Sequence, residues 1–473
     1  MQQFYLQCLQ FETILVRQHT HSGYEQMLNC TTCRALTIAL ANLLFMSVAV
    51  AASVPPGGLC TPEQFELERQ RMAVLGHPII EQARSEVRAV YADSPLARTR
   101  AGSQTLDAAL DAQIAAMANR AVNNDPARPR LMWAANAAHE WQGLRVSNSG
   151  YGIENPDNVY RHSPIDGEST YVLRGRWHKG REPAQQSFTL YSNLPGMGAM
   201  NVEGSPVAAA FADPELDADG NFEITIGKGA IRGAGIDIAL EQPVKVLIVR
   251  DTLADWRSQY AAELHIERVD GPAAPAPPSA AEMAAFTVEL FSRTVPFWYD
   301  YDDKFIFSRP ANTVNPPRNR PTGWGFSTSG HFEIPQGQAL LVTLEPHGAR
   351  YLGFQLADPW GVATEYVSAT GSLNSHQVKP NTDGSISYVI SAEDPGVHNW
   401  LNPSGLDRGI FAIRWQGLPA GVDDLSGAVP EIRLIEVERL QAELGEDAHP
   451  ITATGRTAQL KERVSQYAVR LCR

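Results

Sequence analysis

Asp217-Ala218-Asp219-Gly220-Asn221-Phe222-Glu223-Ile224-Thr225-Ile226 and Asn381-Thr382-Asp383-Gly384-Ser385-Ile386-Ser387-Tyr388-Val389-Ile390 share one design, an Asp-Gly turn feeding a run of β-forming residues. Glycine accepts the positive φ such a turn needs, and the alternation behind it sends successive side chains to opposite faces of a strand. Two further pairs follow in the same order: Phe188-Thr189-Leu190-Tyr191 with Leu352-Gly353-Phe354-Gln355, and His265 to Val269 with Ile432 to Val437. One such match is within chance. Three in register predict a duplicated β unit.

Other runs of strand length are Tyr171 to Trp177, Ser187 to Tyr191, Val244 to Val249, Phe332 to Ile334, Ala339 to Leu344, Tyr351 to Leu356 and Ile410 to Trp415. Many short strands separated by Gly, Pro and Asp suit antiparallel, jelly-roll-like sheets better than a doubly wound parallel sheet. The expected fold is mainly β. It has two related antiparallel β-sandwiches, a first over 145–270 and a second over 279–440 that opens with a helix, flanked by a helical segment at 60–144 and a C-terminal helix within 441–473.

The helices have their own signals. Thr61-Pro62-Glu63 supplies a capping hydroxyl, a proline at the first helical position and an acid at the positive end of the dipole. Leu106, Leu110, Ile114 and Met117 repeat at helical spacing until Asn123-Asn124-Asp125-Pro126 stops them. The Pro/Ala stretch 271–278 reads as an extended linker, after which Ser279 and Glu282 form a capping box. Leu460, Val464, Tyr467 and Leu471 predict a terminal helix lying against the cap.

Residues 1–51 stand apart. Met27 to Arg34, the apolar run Ala35 to Val50 and the small residues Ala49-Val50-Ala51 read as a secretory signal with its start at Met27. The apolar run is short for a membrane span, so no span is expected after its removal, and the protein is expected to be periplasmic or secreted. Of the five cysteines only Cys60 and Cys472 lie beyond this segment. In an oxidising compartment they are expected to pair, the alternative being two free thiols. The net charge of −13 and the lack of a basic cluster interleaved with aromatics argue against nucleic acid as a partner.

Common catalytic motifs are missing. His139-Glu140 lacks the second histidine of a zinc-protease helix, and Gly325 to Ser329 narrowly misses a nucleophile elbow. His331, His347, His376 and His398 contain no close pair, and Asp300, Asp302 and Asp303 lack the rest of a calcium loop, so neither a metal nor a cofactor is expected. The stretch Tyr351 to Arg414 is unusually polar and aromatic. In it His376 is the candidate acid or base, Tyr366 the candidate proton donor, and Arg408 with Asn374 the candidates for orienting charge. Trp360 and Trp400 are candidate stacking walls, and Gln377, Asn399 and Arg414 complete a ligand-binding set. The plainer alternative has the amides capping turns and the tryptophans filling core.

Tyr351 with Trp360, Leu373 to Gln377, Asp383-Gly384-Ser385, Asp394-Pro395-Gly396, Asn399-Trp400-Leu401 and Gly405 with Gly409 carry a resemblance. Over Gln336 to Gly417 the chain resembles the bacterial family known as domain of unknown function 1214. That domain is usually the C-terminal half of exported proteins whose N-terminal half, divergent here, is domain of unknown function 1254. The resemblance implies a sandwich fold and export, and it carries no activity. The residues themselves suggest a lyase or hydrolase for a small oxygenated aromatic or sugar-like substrate. The alternative is a non-catalytic module binding a carbohydrate or envelope component, with a structural envelope protein as a third reading. A catalyst requires His376 and Arg408 to face one concave site.

Overall fold

The computed structural model describes residues 54–192, 207–227, 236–239, 245–320 and 324–473, and the expected secretory signal lies outside them. Thr61 caps α1 (Pro62–Leu75), its hydroxyl accepting the Gln64 N–H at 3.1 Å. The next helices are α2 (Pro78–Tyr91) and α3 (Arg100–Val122), and beyond the exposed linker comes α4 (Ala280–Asp302), started by the expected Ser279/Glu282 capping box. Ala284, Leu290, Phe291 and Val295 of α4 share one core with Leu67, Leu106, Leu110 and Met117. The helix that opens the second half therefore completes a helical layer begun by the first.

The first sandwich begins earlier than the change of period suggested. Its strands are β1 (Met132–Ala134), a side hairpin of β2 (His139–Trp141) and β3 (Leu144–Val146), then β4 (Asn158–Pro164), β5 (Thr170–Arg176), β6 (Gln185–Tyr191), β7 (Val207–Ala212), β8 (Asn221–Gly227), β9 (Ile236–Ala239), β10 (Val246–Thr252) and β11 (Glu263–Asp270). One sheet runs β1-β4-β10-β6-β7 and the other β11-β5-β8-β9. Phe188, Leu190, Leu247 and Val249 from the first meet Tyr171, Leu173, Phe222, Ile224 and Ile226 from the second.

The second sandwich has β12 (Arg318–Asn319), β13 (Gly325–Glu333), β14 (Gln338–Leu344), β15 (Tyr351–Ala357), β16 (Ser372–Asn374), β17 (Ile386–Ile390), β18 (Trp400–Leu401), β19 (Arg408–Gln416) and β20 (Glu431–Glu436). Its sheets run β12-β13-β19-β15-β16 and β18-β17-β14-β20, the same plan as the first. The three sequence pairs fall on matching strands: β8 with β17, β6 with β15, β11 with β20. Even the exceptions correspond, since β8–β9 and β17–β18 are the parallel pairs in otherwise antiparallel sheets. Gly325 to Ser329, the stretch that narrowly misses a nucleophile elbow, is the first half of β13 and not a strand-to-helix turn.

After the short α5 (Leu440–Leu444), α6 (Ala453–Ala468) corrects the expected stripe. Val464 is exposed, and the residues turned inward are Arg456, Arg463 and Tyr467, followed by Arg470. Arg463 donates to the Tyr366 carbonyl at 2.6 Å, Gln377 Oε1 at 2.9 Å and Ser372 Oγ at 2.9 Å, and its guanidinium lies 4.5 Å from the Trp256 ring centroid. The helix thus rests on both sandwiches, on Trp256 of the first and Tyr366 of the second, rather than chiefly on the cap. Just beyond it, Cys472 is disulfide-bonded to Cys60, joining the two ends of the described chain.

Candidate functional site

The pleat of two strands sets the site. On β10, Leu247 and Val249 point into the first sandwich, so Ile248 and Arg250 point out. On β19, Phe411, Ile413 and Trp415 fill the second sandwich, so Ala412, Arg414 and Gln416 point out. β10 and β19 are the central strands of the two five-stranded sheets. Their outer faces border a common cavity of about 320 Å³, closed further by α3, α4 and the stretch Tyr151–Glu154. Tyr160, Tyr191, Trp298, Tyr301 and Trp324 form aromatic walls, and Arg120, Arg250, Arg320 and Arg414 bring positive charge.

These guanidiniums have neutral partners. Arg250 donates to Thr189 Oγ1 at 2.8 Å and to the Tyr191 hydroxyl at 3.1 Å, and it sits 5.7 Å from the Tyr160 ring centroid. Arg414 donates to Gln355 Oε1 and, at 2.7 Å, to the Ile153 carbonyl. Arg120 is buried, 3.5 Å from the Tyr151 hydroxyl through one nitrogen and unpartnered at Nη1. Arg320 lies 5.7 Å from the Trp324 ring centroid. Arg320 is exposed by surface area, yet partial desolvation of its guanidinium lowers its pKa, and the charges of Arg414 and Arg250 lower it further. Among the described residues no carboxylate is ion-paired with any of the four. Arg161, next to Tyr160, turns to the opposite face and pairs with Asp251.

Glu154 is the acid of this cavity. Burial pushes its pKa up to about 8, against the backbone N–H groups and the Arg414 charge, which favour ionisation. Its Oε1 accepts the Ala363 N–H at 3.2 Å, and Oε2 has no partner. At neutral pH this carboxyl is mostly protonated and leaves the arginine charge uncompensated. The backbone before it is strained: Gly152 has φ 65° and Ile153 φ 59°. A β-branched residue in the left-handed region costs on the order of 1–3 kcal/mol. The Ile153 N–H bonded to the Gly361 carbonyl at 2.9 Å, together with the bond from Arg414, holds it there.

The residues singled out in the sequence are dispersed. His376 is exposed and borders a separate groove with Asp255, Lys379, His398 and Glu462. Tyr366 is buried against Tyr467, and burial holds its hydroxyl well above the usual tyrosine range, out of reach as a proton donor near neutrality. Arg408 pairs with Glu333 at 2.8 Å and borders a different cavity of about 130 Å³, beside Trp360 and Asp302. Trp360 is core: it stacks on Tyr299 and donates to the Gly102 carbonyl at 3.0 Å. Trp400 is core as well, donating to the Ser391 carbonyl at 3.0 Å. Asn399 ties Lys379 to Ser387 through backbone groups, and Gln377 receives Arg463. Asn374 donates to the buried Asp157 at 2.9 Å. Of the set, Arg414 alone reaches the cavity between the sandwiches, so His376, Tyr366 and Arg408 do not form one catalytic centre.

The cavity arginines had a legible trace in Arg318-Asn319-Arg320, within the Pro-, Asn- and Arg-rich stretch Asn312 to Pro321, but Arg120 and Arg250 come from a helix and a strand where nothing local marks them.

No protein-family model matches the chain, and no curated protein matches it. Among solved structures it is similar to an uncharacterized protein from Burkholderia cenocepacia, with 20% identity and a TM-score of 0.57 over 79% of this chain and 97% of that one. A protein from Vibrio parahaemolyticus aligns over 60% of this chain and 90% of that one at 11% identity with a TM-score of 0.35, too weak a likeness to argue from. At these identities the first likeness speaks to the fold alone, and it agrees with the β-sandwich architecture.

Proposed function

We propose that this protein binds a small organic anion with a flat, apolar body in the cavity between its two sandwiches. One observation carries the reading: four guanidiniums with neutral partners surround an aromatic-walled cavity in a protein whose net charge is −13. Arg120 is buried and Arg250 and Arg414 are half-buried, and a guanidinium drawn out of water without a counter-charge is costly; a ligand carboxylate would meet it with charge-assisted hydrogen bonds. Tyrosine and tryptophan faces suit the ring of such a ligand. A saccharide, neutral and rich in hydroxyls, would leave the positive charge unanswered. Dispersal of His376, Tyr366 and Arg408 favours binding over the lyase or hydrolase alternative. The leader-like residues 27–51 and the disulfide support export, which belongs to the same proposal.

Calorimetric titration with 2-naphthoate, and with 2-naphthalenemethanol as its neutral counterpart, tests the reading. Saturable binding of the acid, weakened by added salt and absent for the alcohol, is expected. Equal binding of both compounds, or of neither, overturns it.

A further inference from the structure

The distribution of the arginines says more about the ligand. We infer that it carries two separated negative groups and is gripped from both sandwiches at once, an inference that rests on the anion-binding reading above. Arg250 stands on the central strand of the first sandwich's five-stranded sheet and Arg414 on that of the second, so the two charges enter the cavity from different walls. Arg320 feels both of them, and Arg120 adds a fourth charge from the helical layer. A single carboxylate can be bracketed by one or two guanidiniums in a bidentate contact, which leaves charge on the far wall unanswered. In an enclosed site that remainder is unfavourable, because like charges repel more strongly there than in bulk water. A rigid aromatic dicarboxylate answers both walls, its ring meeting the aromatic lining of Tyr160, Trp298 and Tyr301. The strained Gly152–Ile153 turn fits this role: the Ile153 carbonyl receives Arg414 and fixes one of the two charged ends before any ligand arrives.

The test compares three probes by calorimetry on the whole protein near pH 6: naphthalene-2,6-dicarboxylate, its monomethyl ester, and phenyl phosphate. The diacid is expected to bind one per chain and at least about tenfold more tightly than either of the others, since phenyl phosphate concentrates its charge on one group. Arg250→Gln should bring the diacid down to the affinity of the monoester while changing the monoester by less than about threefold. Equal affinity for diacid and monoester overturns the inference and leaves the anion site standing. Two monoesters bound per chain would also overturn it, showing two independent sites. Failure of all three probes to bind removes the anion site and the inference together.

Discussion

Arg250 on β10 and Arg414 on β19 occupy the central strands of two sheets with the same strand order, and both guanidiniums border the same cavity between those sheets. Duplication explains how this arises. Each sandwich buries one face of its five-stranded sheet in its own core, which leaves two outer faces available to form a binding space neither half has alone.

The empty site balances opposed effects. Burial and the nearby Arg320 oppose the charge of Arg250, which has no carboxylate partner among the described residues, while Tyr191 and Tyr160 favour it and leave its pKa raised. Arg250→Met should therefore move the melting temperature by no more than a few degrees while reducing the affinity for naphthalene-2,6-dicarboxylate at least about tenfold. Thermal unfolding and calorimetry on the same preparations check this. A clear fall in melting temperature would mean that the bonds to Thr189 and Tyr191 outweigh the repulsion.

Glu154 gives a pH signature. Its pKa lies near 8 in the folded chain against an ordinary value of 4.5. A carboxyl whose folded value is raised contributes stability that is full below its unfolded pKa and is lost as the pH rises through its folded value. Glu154→Gln does not titrate, so the variant should gain on the wild type between about pH 5 and pH 8, by an amount on the order of a few kcal/mol. Asp358, raised to about 7, and Asp302, also raised by burial, act in the same direction in both proteins, so the wild-type-minus-variant difference reports Glu154 together with its coupling to Asp358. Denaturant midpoints at the two pH values measure it; a pH-independent difference would contradict the assignment. Ionisation of Glu154 should also weaken anion binding above about pH 8.

Fold and site differed in how much the sequence revealed. The duplicated sandwich was legible because Asp-Gly turns and alternation are local signals, and they recur in order in both halves. The terminal helix was misread at Val464 because apolar spacing was taken as the buried face, whereas three arginines are buried by bonding to carbonyls, amides and Asp394 and by stacking on tryptophan. The site was largely hidden for a related reason. His376, Asn374 and Trp400 are close in sequence, but strand pleat and the turn after β16 send them to different surroundings. Arg120, Arg250, Arg320 and Arg414, far apart in sequence, meet only through tertiary structure.

Tyr351 joins the halves from the polar side. Its hydroxyl donates to Asp157 Oδ2 at 2.8 Å and accepts from Asn155 Nδ2 at 2.9 Å, while Asn374 and Trp256 donate to Asp157 Oδ1 at 2.9 Å and 2.7 Å. Tyr351→Phe removes a donor from a buried carboxylate and should cost about 1–3 kcal/mol of stability, with ligand affinity kept within about twofold. Denaturant unfolding and calorimetry separate the two effects. Loss of affinity at unchanged stability would place Tyr351 in the binding machinery instead.

His376→Ala is the sharpest discriminator between the sequence-based reading and the structure. An exposed histidine outside the cavity should tolerate alanine within about 0.5 kcal/mol of stability and with no change in anion affinity. Any turnover lost with this substitution would restore His376 as an acid or base and move the functional site to the groove that it borders with Asp255 and His398.

The Cys60–Cys472 bond spans 412 residues of chain, so its loss releases nearly the whole described fold from one constraint. Cross-links over long loops act mainly by restricting the unfolded ensemble, and the corresponding stabilisation is roughly 2–5 kcal/mol. Paired Cys60→Ser and Cys472→Ser substitutions should lower stability by about that amount, and a reducing agent should destabilise the wild type but leave the double variant unaffected. Because both cysteines lie away from the cavity, anion affinity at a temperature where both proteins are folded should be the same. A fall in affinity without a fall in stability would show that the anchored terminal helix, through Arg463 and Arg470, sets the geometry between the sandwiches.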